Sequence, residues 1–159
     1  MSTTTIGSLG VTFPDATVQG SAYAGPKMQV FSSSGTFTVP GGVTQVVVNV
    51  YGGGGGGQGA SPSFSGKTGG NGGFVRALIT GLSPGASIAV TVGAGGNGSA
   101  TASSPSAGGS GGTSTFGSYA SATGGSGGNY PNDSLPGTGT TTGTKMQSSY
   151  ASGRSYFSQ

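Results

Sequence analysis

The sequence predicts an all-β chain with essentially no helix: a small β-sandwich or jelly-roll-like domain with glycine-rich loops, polyglycine runs among them. Three observations point there. The apolar residues gather in short runs rich in β-branched side chains, several of them alternating with period two. No window sustains a 3.6-residue apolar period. Glycine contributes 38 of the 159 residues, far above the usual share of about 7%, and is concentrated in tracts that punctuate those runs.

The first segment, residues 1–30, has Ile6, Leu9, Val11 and Phe13 as apolar points and a turn at Pro14-Asp15. Val11-Thr12-Phe13 and Thr17-Val18 are strand formers, and isolated short strands need neighbours. This segment is expected to be an N-terminal attachment arm. Residues 31–128 form the body, a glycine-rich β domain. In Thr36-Phe37-Thr38-Val39 the apolar residues alternate with threonines, and Pro40-Gly41-Gly42 is a turn. Residues 45–51 come next, with Val46, Val48 and Val50 on one face and Val47, Asn49 and Tyr51 on the other. Both faces are largely apolar, which predicts a central strand. Residues 74–80 place Val75, Ala77 and Ile79 on one face, and residues 87–92 do the same with Ile88, Val90 and Val92. Weaker strands are expected at 113–116 and 119–123. Residues 129–159 have turn residues throughout and scattered aromatics, and read as an irregular C-terminal tail.

Five glycine tracts, 52–59, 69–73, 93–98, 108–112 and 124–128, alternate with these strands. A flexible linker needs no such punctuation. Two readings stand side by side. The tracts are mobile hairpin loops, or they pack backbone to backbone, since glycine has no Cβ and neighbouring chains can approach closely and exchange N–H···O bonds. With only 31% hydrophobic residues, the core that this chain can bury is modest. That predicts either partial disorder or partner chains that supply burial, a homo-oligomer.

Charge and residue usage exclude several function classes. Net charge is +3, from scattered Lys27, Lys67, Arg76, Lys145 and Arg154 against Asp15 and Asp133, so no basic cluster exists to track nucleic acid. The chain has no Cys and no His, which removes disulfides, thiolate and imidazole metal sites and the common nucleophile–base pairs. Asp15 and Asp133 are the only carboxylates, and each is explained by a turn. Gly93-Ala94-Gly95-Gly96-Asn97-Gly98 matches G-x-G-x-x-G, but the small and polar residues 99–109, SATASSPSAGG, will not form the helix that a pyrophosphate needs. Gly66-Lys67-Thr68 lacks the first P-loop glycine, since position 61 is Ser61. The expectation is no enzyme, no cofactor and no metal. The first residues show no positive n-region and no apolar h-region, and no stretch approaches 18 apolar residues, so neither a signal peptide nor membrane insertion is expected.

Surface recognition remains. Phe64, Tyr119 and Tyr130, aromatics beside glycine tracts, are the receptor-contact candidates, whereas Tyr51, Phe74 and Phe116 read as core residues at strand ends.

Gly35-Thr36-Phe37-Thr38-Val39-Pro40, then Gly42-Val43-Thr44-Gln45-Val46, Val48-Asn49-Val50-Tyr51 and the glycine run resemble the glycine-rich domain of bacteriophage tail-fibre and virion proteins. Segments 69–74, 82–96 and 114–117 come in that family's order. Residues 10–19, GVTFPDATVQ, resemble a short element near the starts of tail-fibre modules, with Ala16 where that element usually has glycine. The resemblance implies a structural virion protein: a short tail-fibre or fibre-tip subunit that contacts the host surface, or alternatively a capsid-bound head fibre or decoration protein. It implies a homotrimer, other virion proteins held through the arm, and a host surface glycan or protein met by segments 60–68, 99–107 and 129–135. The expected location is the phage particle, after synthesis in the host cytoplasm.

Overall fold

The computed structural model describes residues 5–7, 10–12, 18–19, 27–103, 105–132 and 134–148. The chain divides into two compact units, Met1–Val30 and Phe31–Gln159. In the first, β1 (Thr5–Gly7), β2 (Gly10–Thr12) and β3 (Val18–Gln19) form an antiparallel sheet in the order β1-β2-β3.

The second unit is built on β4 (Gly35–Thr38), β5 (Gln45–Tyr51), β6 (Phe74–Thr80), β7 (Ser87–Thr91), β8 (Ser114–Phe116), β9 (Ala120–Ala122), β10 (Gly139–Thr141) and β11 (Thr144–Ser148). They make two antiparallel sheets, β10-β9-β8-β7-β4 and β11-β6-β5. Among the described residues there is no helix. The fold is all-β and consistent with a small β-sandwich.

The predicted inward faces are the core. Val50 from β5, Val75, Ala77 and Ile79 from β6, and Ile88 from β7 are buried with Val39, Leu82, Phe116, Ala120 and Ala122. This core narrows along the strands. Ile79, Leu82, Ile88 and Phe116 fill one end. Val50, Val75, Ala122 and the buried Ser114 occupy the end where the strands meet the glycine tracts.

Two expectations are corrected. β5 is an edge strand, not a central one: it pairs with β6 alone, and its second face is open, with Val47 50% and Tyr51 66% exposed. The apolar residues of that face instead pair across the strands on the outside of the sheet, Val47 opposite Leu78 and Tyr51 opposite Phe74. Tyr51 and Phe74 are therefore not core residues; their rings lie 4.7 Å apart on that outer face. Residues 139–148, expected to be part of an irregular tail, form β10 and β11, one strand for each sheet. Their Gly-Thr-Thr and Thr-Lys-Met-Gln-Ser sequences carry too little alternation to show it. The pairing comes from the partners β9 and β6.

Candidate functional site

Each of six strands runs directly into or out of an extended segment. We number these tracts 1 to 6: residues 52–60, 67–73, 93–102, 108–112, 123–128 and 134–138. They are bonded to one another by backbone hydrogen bonds that repeat every three residues. Gly52, Gly55 and Gln58 donate N–H to the carbonyls of Gly73, Gly70 and Lys67, all at 2.7–2.8 Å. Gly53 and Gly56 donate to Gly112 and Gly109, while Gly96 and Ser99 donate to Gly54 and Gly57. Gly125 and Gly128 donate to Gly53 and Gly56. A period of three is that of the polyproline II helix, which makes no hydrogen bonds within itself and must find them outside. Tract 1 is thus bonded to tracts 2, 3, 4 and 5, and tract 6 joins tracts 2 and 5 through Gly137, Ser126 and Thr123.

Glycine is required here for closeness, not for conformation. No tract glycine has a positive φ. Yet a Cβ on Gly52, Gly53, Gly55, Gly56, Gly69, Gly70, Gly124 or Gly125 would fall inside 3.0 Å of backbone atoms in a neighbouring tract. The non-glycine residues recur every third position: Thr68 and Asn71 in tract 2 and Ser110 in tract 4 are exposed, whereas the Thr123 and Ser126 hydroxyls in tract 5 accept from the Thr138 and Leu135 N–H groups of tract 6. Thr68-Gly69-Gly70-Asn71-Gly72-Gly73, Ala107-Gly108-Gly109-Ser110-Gly111-Gly112 and Thr123-Gly124-Gly125-Ser126-Gly127-Gly128 each write the same x-Gly-Gly triplet twice. This period was present in the sequence, and it separates a packed stem from mobile loops.

At roughly 3.1 Å per residue, tract 1 spans about 25 Å. Tract 1 turns into tract 2 through residues 61–66, the turn between tracts 3 and 4 contains residues 103 and 105–107, and that between tracts 5 and 6 contains residues 129–132, so all three turns lie at the end remote from the sandwich. Two of the predicted aromatics meet there. The rings of Phe64 and Tyr130 stack at 4.6 Å with 9° between their planes. Phe64 is half-buried and Tyr130 is 51% exposed, so Tyr130 is the outer ring of the pair. Tyr119 is elsewhere. It lies in the β8–β9 turn at the opposite strand ends, packs against Phe116, and its carbonyl accepts from the Thr141 hydroxyl at 2.7 Å and the Thr142 N–H at 2.9 Å. Asp15 and Asp133 lie outside the described residues.

Sequence reasoning missed Gln58. It interrupts the glycines of tract 1 and is 8% exposed. Its backbone N–H donates to Lys67, its side-chain oxygen accepts from the Tyr130 N–H at 2.6 Å, and its side-chain nitrogen donates to the Pro105 carbonyl at 3.2 Å. The Ser134 hydroxyl donates to the Thr68 carbonyl, and the Ser99 hydroxyl to that of Ser106 at 2.6 Å. A single non-glycine, long and bifunctional, in an otherwise uniform run was the available signal.

Compared with known proteins, residues 31–157 match a family model described as a glycine-rich domain. No curated protein and no solved structure matches the chain.

Proposed function

We propose, on the premise that this chain belongs to the glycine-rich domain family, that it is a non-catalytic structural virion protein, a short tail-fibre or fibre-tip subunit that meets the host cell surface. One observation carries the reading. Three turns from distant parts of the chain are gathered at one end of a stem with a regular backbone lattice, while the side-chain core sits at the other end. A stem whose register is set by backbone hydrogen bonds can hold variable tips at fixed positions, which is what a surface-contact subunit requires. On this proposal Phe64 and Tyr130 belong to the contact surface and Tyr119 does not. The segment 1–30 attaches the subunit to other virion proteins, and three identical chains associate as a homotrimer. No nucleic acid, cofactor or membrane span enters the role.

Electron microscopy of particles, with antibody directed to residues 60–68, tests it. Label at the tip of a tail appendage is expected. Label on the capsid would establish the head-fibre alternative, and absence of the chain from particles would end the proposal. Sedimentation of the purified full-length protein should give three chains per particle; a strict monomer would refute the trimer.

A further inference from the structure

The described residues of the three turns carry no charged side chain, and Lys67 is the first residue of tract 2. The turns therefore offer no charge by which to select an ionic ligand. What they do offer is an outward aromatic face on Tyr130, backed by Phe64, with the exposed side chains of Ser63, Ser65, Asn129 and Asn132 on the same two turns. An apolar ring face bordered by hydroxyls and amides matches the flat C–H face of a sugar ring, whose own hydroxyls project sideways.

Neither ring is held by a hydrophobic core. Tyr130, in a turn closed by the Asn129–Asn132 bridge, is tied to tract 1 through its backbone N–H on the Gln58 side-chain oxygen, and Phe64, in a turn closed by its own backbone bonds with Ser61, stacks on Tyr130. The Gln58 side-chain nitrogen ties the third turn, at Pro105, to the same amide. An amide in this place satisfies an N–H and a carbonyl at once, which neither a carboxylate nor a hydrocarbon can do.

We propose that Tyr130 and Phe64 form a stacking site for an uncharged saccharide of the host surface, and that Gln58 is the positioning residue that assembles it from three turns. This rests on the host-contact reading above and names the ligand class.

The test uses purified full-length protein and whole host cells. Binding is measured to untreated cells, to cells whose surface sugars have been oxidised with periodate, and to cells shaved with protease. Loss after periodate and retention after shaving are expected. Retention after periodate with loss after shaving overturns the saccharide in favour of a protein receptor. No binding to untreated cells removes the host-contact reading itself. Tyr130→Ala, a change at an exposed ring, should weaken binding about tenfold, the effect of removing a single aromatic anchor. Unchanged binding would overturn the stacking site.

The role of Gln58 is read without any ligand, by trypsin cleavage after Lys67, with Arg76 in β6 as the internal control. In Gln58→Ala, cleavage after Lys67 should rise about tenfold while cleavage after Arg76 does not, because freeing Tyr130 removes the ring stacked on the 61–66 turn and leaves that turn only its own Ser61–Phe64 bonds. Gln58→Glu keeps the volume and loses the donor to Pro105, and should give a smaller rise of the same kind. If both variants cleave like the wild type after Lys67, or if cleavage after Arg76 rises in step, Gln58 does not position the turns.

Discussion

The closeness of the tracts makes a sharp prediction for Gly125. A Cβ built there meets the Gly70 carbonyl and comes within 2.6 Å of the Asn71 oxygen, whereas ordinary contact begins at 3.4 Å. Gly125→Ala can therefore be accommodated only if tracts 2 and 5 separate by about an ångström or more. That stretches the bonds from Gly70 to Ser126 and from Gly73 to Thr123, both 2.7 Å. Two hydrogen bonds at about 1 kcal/mol each, with about 1–3 kcal/mol of overpacking, give a loss of roughly 3–5 kcal/mol. For a chain of this size that is a fall in Tm of roughly 10 °C or more. Gly54→Ala is the matched control, one tract away. Its Cβ would find nothing closer than 3.9 Å, its φ is not positive, and alanine loses less entropy on folding. It should be neutral or stabilising by about 0.4–1 kcal/mol. Both variants are compared with the wild type by thermal and urea unfolding of the full chain. If the two shift stability alike, or if Gly125→Ala stays within about 0.5 kcal/mol of wild type, the close-packed stem is wrong.

The same lattice predicts a period of three in amide hydrogen exchange. Gly52, Gly53, Gly55 and Gly56 donate to neighbouring tracts and should exchange slowly, whereas Gly54 and Gly57, whose N–H groups have no partner among the described residues, should exchange fast; uniform exchange along 52–57 would contradict it. Gly85, at φ +82° with open space around it, should respond to alanine through backbone strain alone, losing about 1–2 kcal/mol in urea unfolding without exposing any tract amide. Ala122→Ile places a large side chain at the narrow end of the core, where Ala122 is fully buried, and should cost about 1–3 kcal/mol in urea unfolding and speed exchange at Gly73, which donates to Thr123.

The strands were legible in the sequence because period two and β-branching are local. Residues 45–51 and 74–80 are strands at the same boundaries that the pattern predicts, and Val75, Ala77 and Ile79 point inward as predicted. The neighbourhood of a strand is not local, so the apolar second face of 45–51 points to a burial that the fold does not provide. Val47 and Tyr51 find their partners across the strand on an open sheet face, and no periodicity within the run distinguishes that from burial on both sides. β10 and β11 were illegible for the same reason in stronger form, since their sequences are neutral and the partner strands supply the pairing. At the tip, Phe64 and Tyr130 could be selected by residue type, but their meeting depends on tracts 1, 2 and 5 lying side by side, which only the x-Gly-Gly period encodes.

The two halves of the Phe31–Gln159 unit pose opposite packing problems, and the junction resolves them. Sheets separated by side chains lie about 10 Å apart, whereas the tracts that continue them touch through backbone hydrogen bonds. The in-sheet registers carry over without a break: Tyr51 opposite Phe74 is succeeded by Gly52 donating to Gly73, and Gly139 opposite Ala122 by Thr123 donating to Thr138. The bonds from Gly53 to Gly112 and from Gly125 to Gly53 are new, because they join what had been opposite sheets. They can form only if the layers converge. The narrowing of the core from Ile79, Ile88 and Phe116 to Val50, Val75, Ala122 and Ser114 accomplishes this, and the Ser114 hydroxyl receives the first tract amide, that of Gly93, at 2.9 Å. The side-chain core thus fixes the register in which the glycines meet. Glycines alone, with no side chains to distinguish one alignment from the next, would have no means of choosing it.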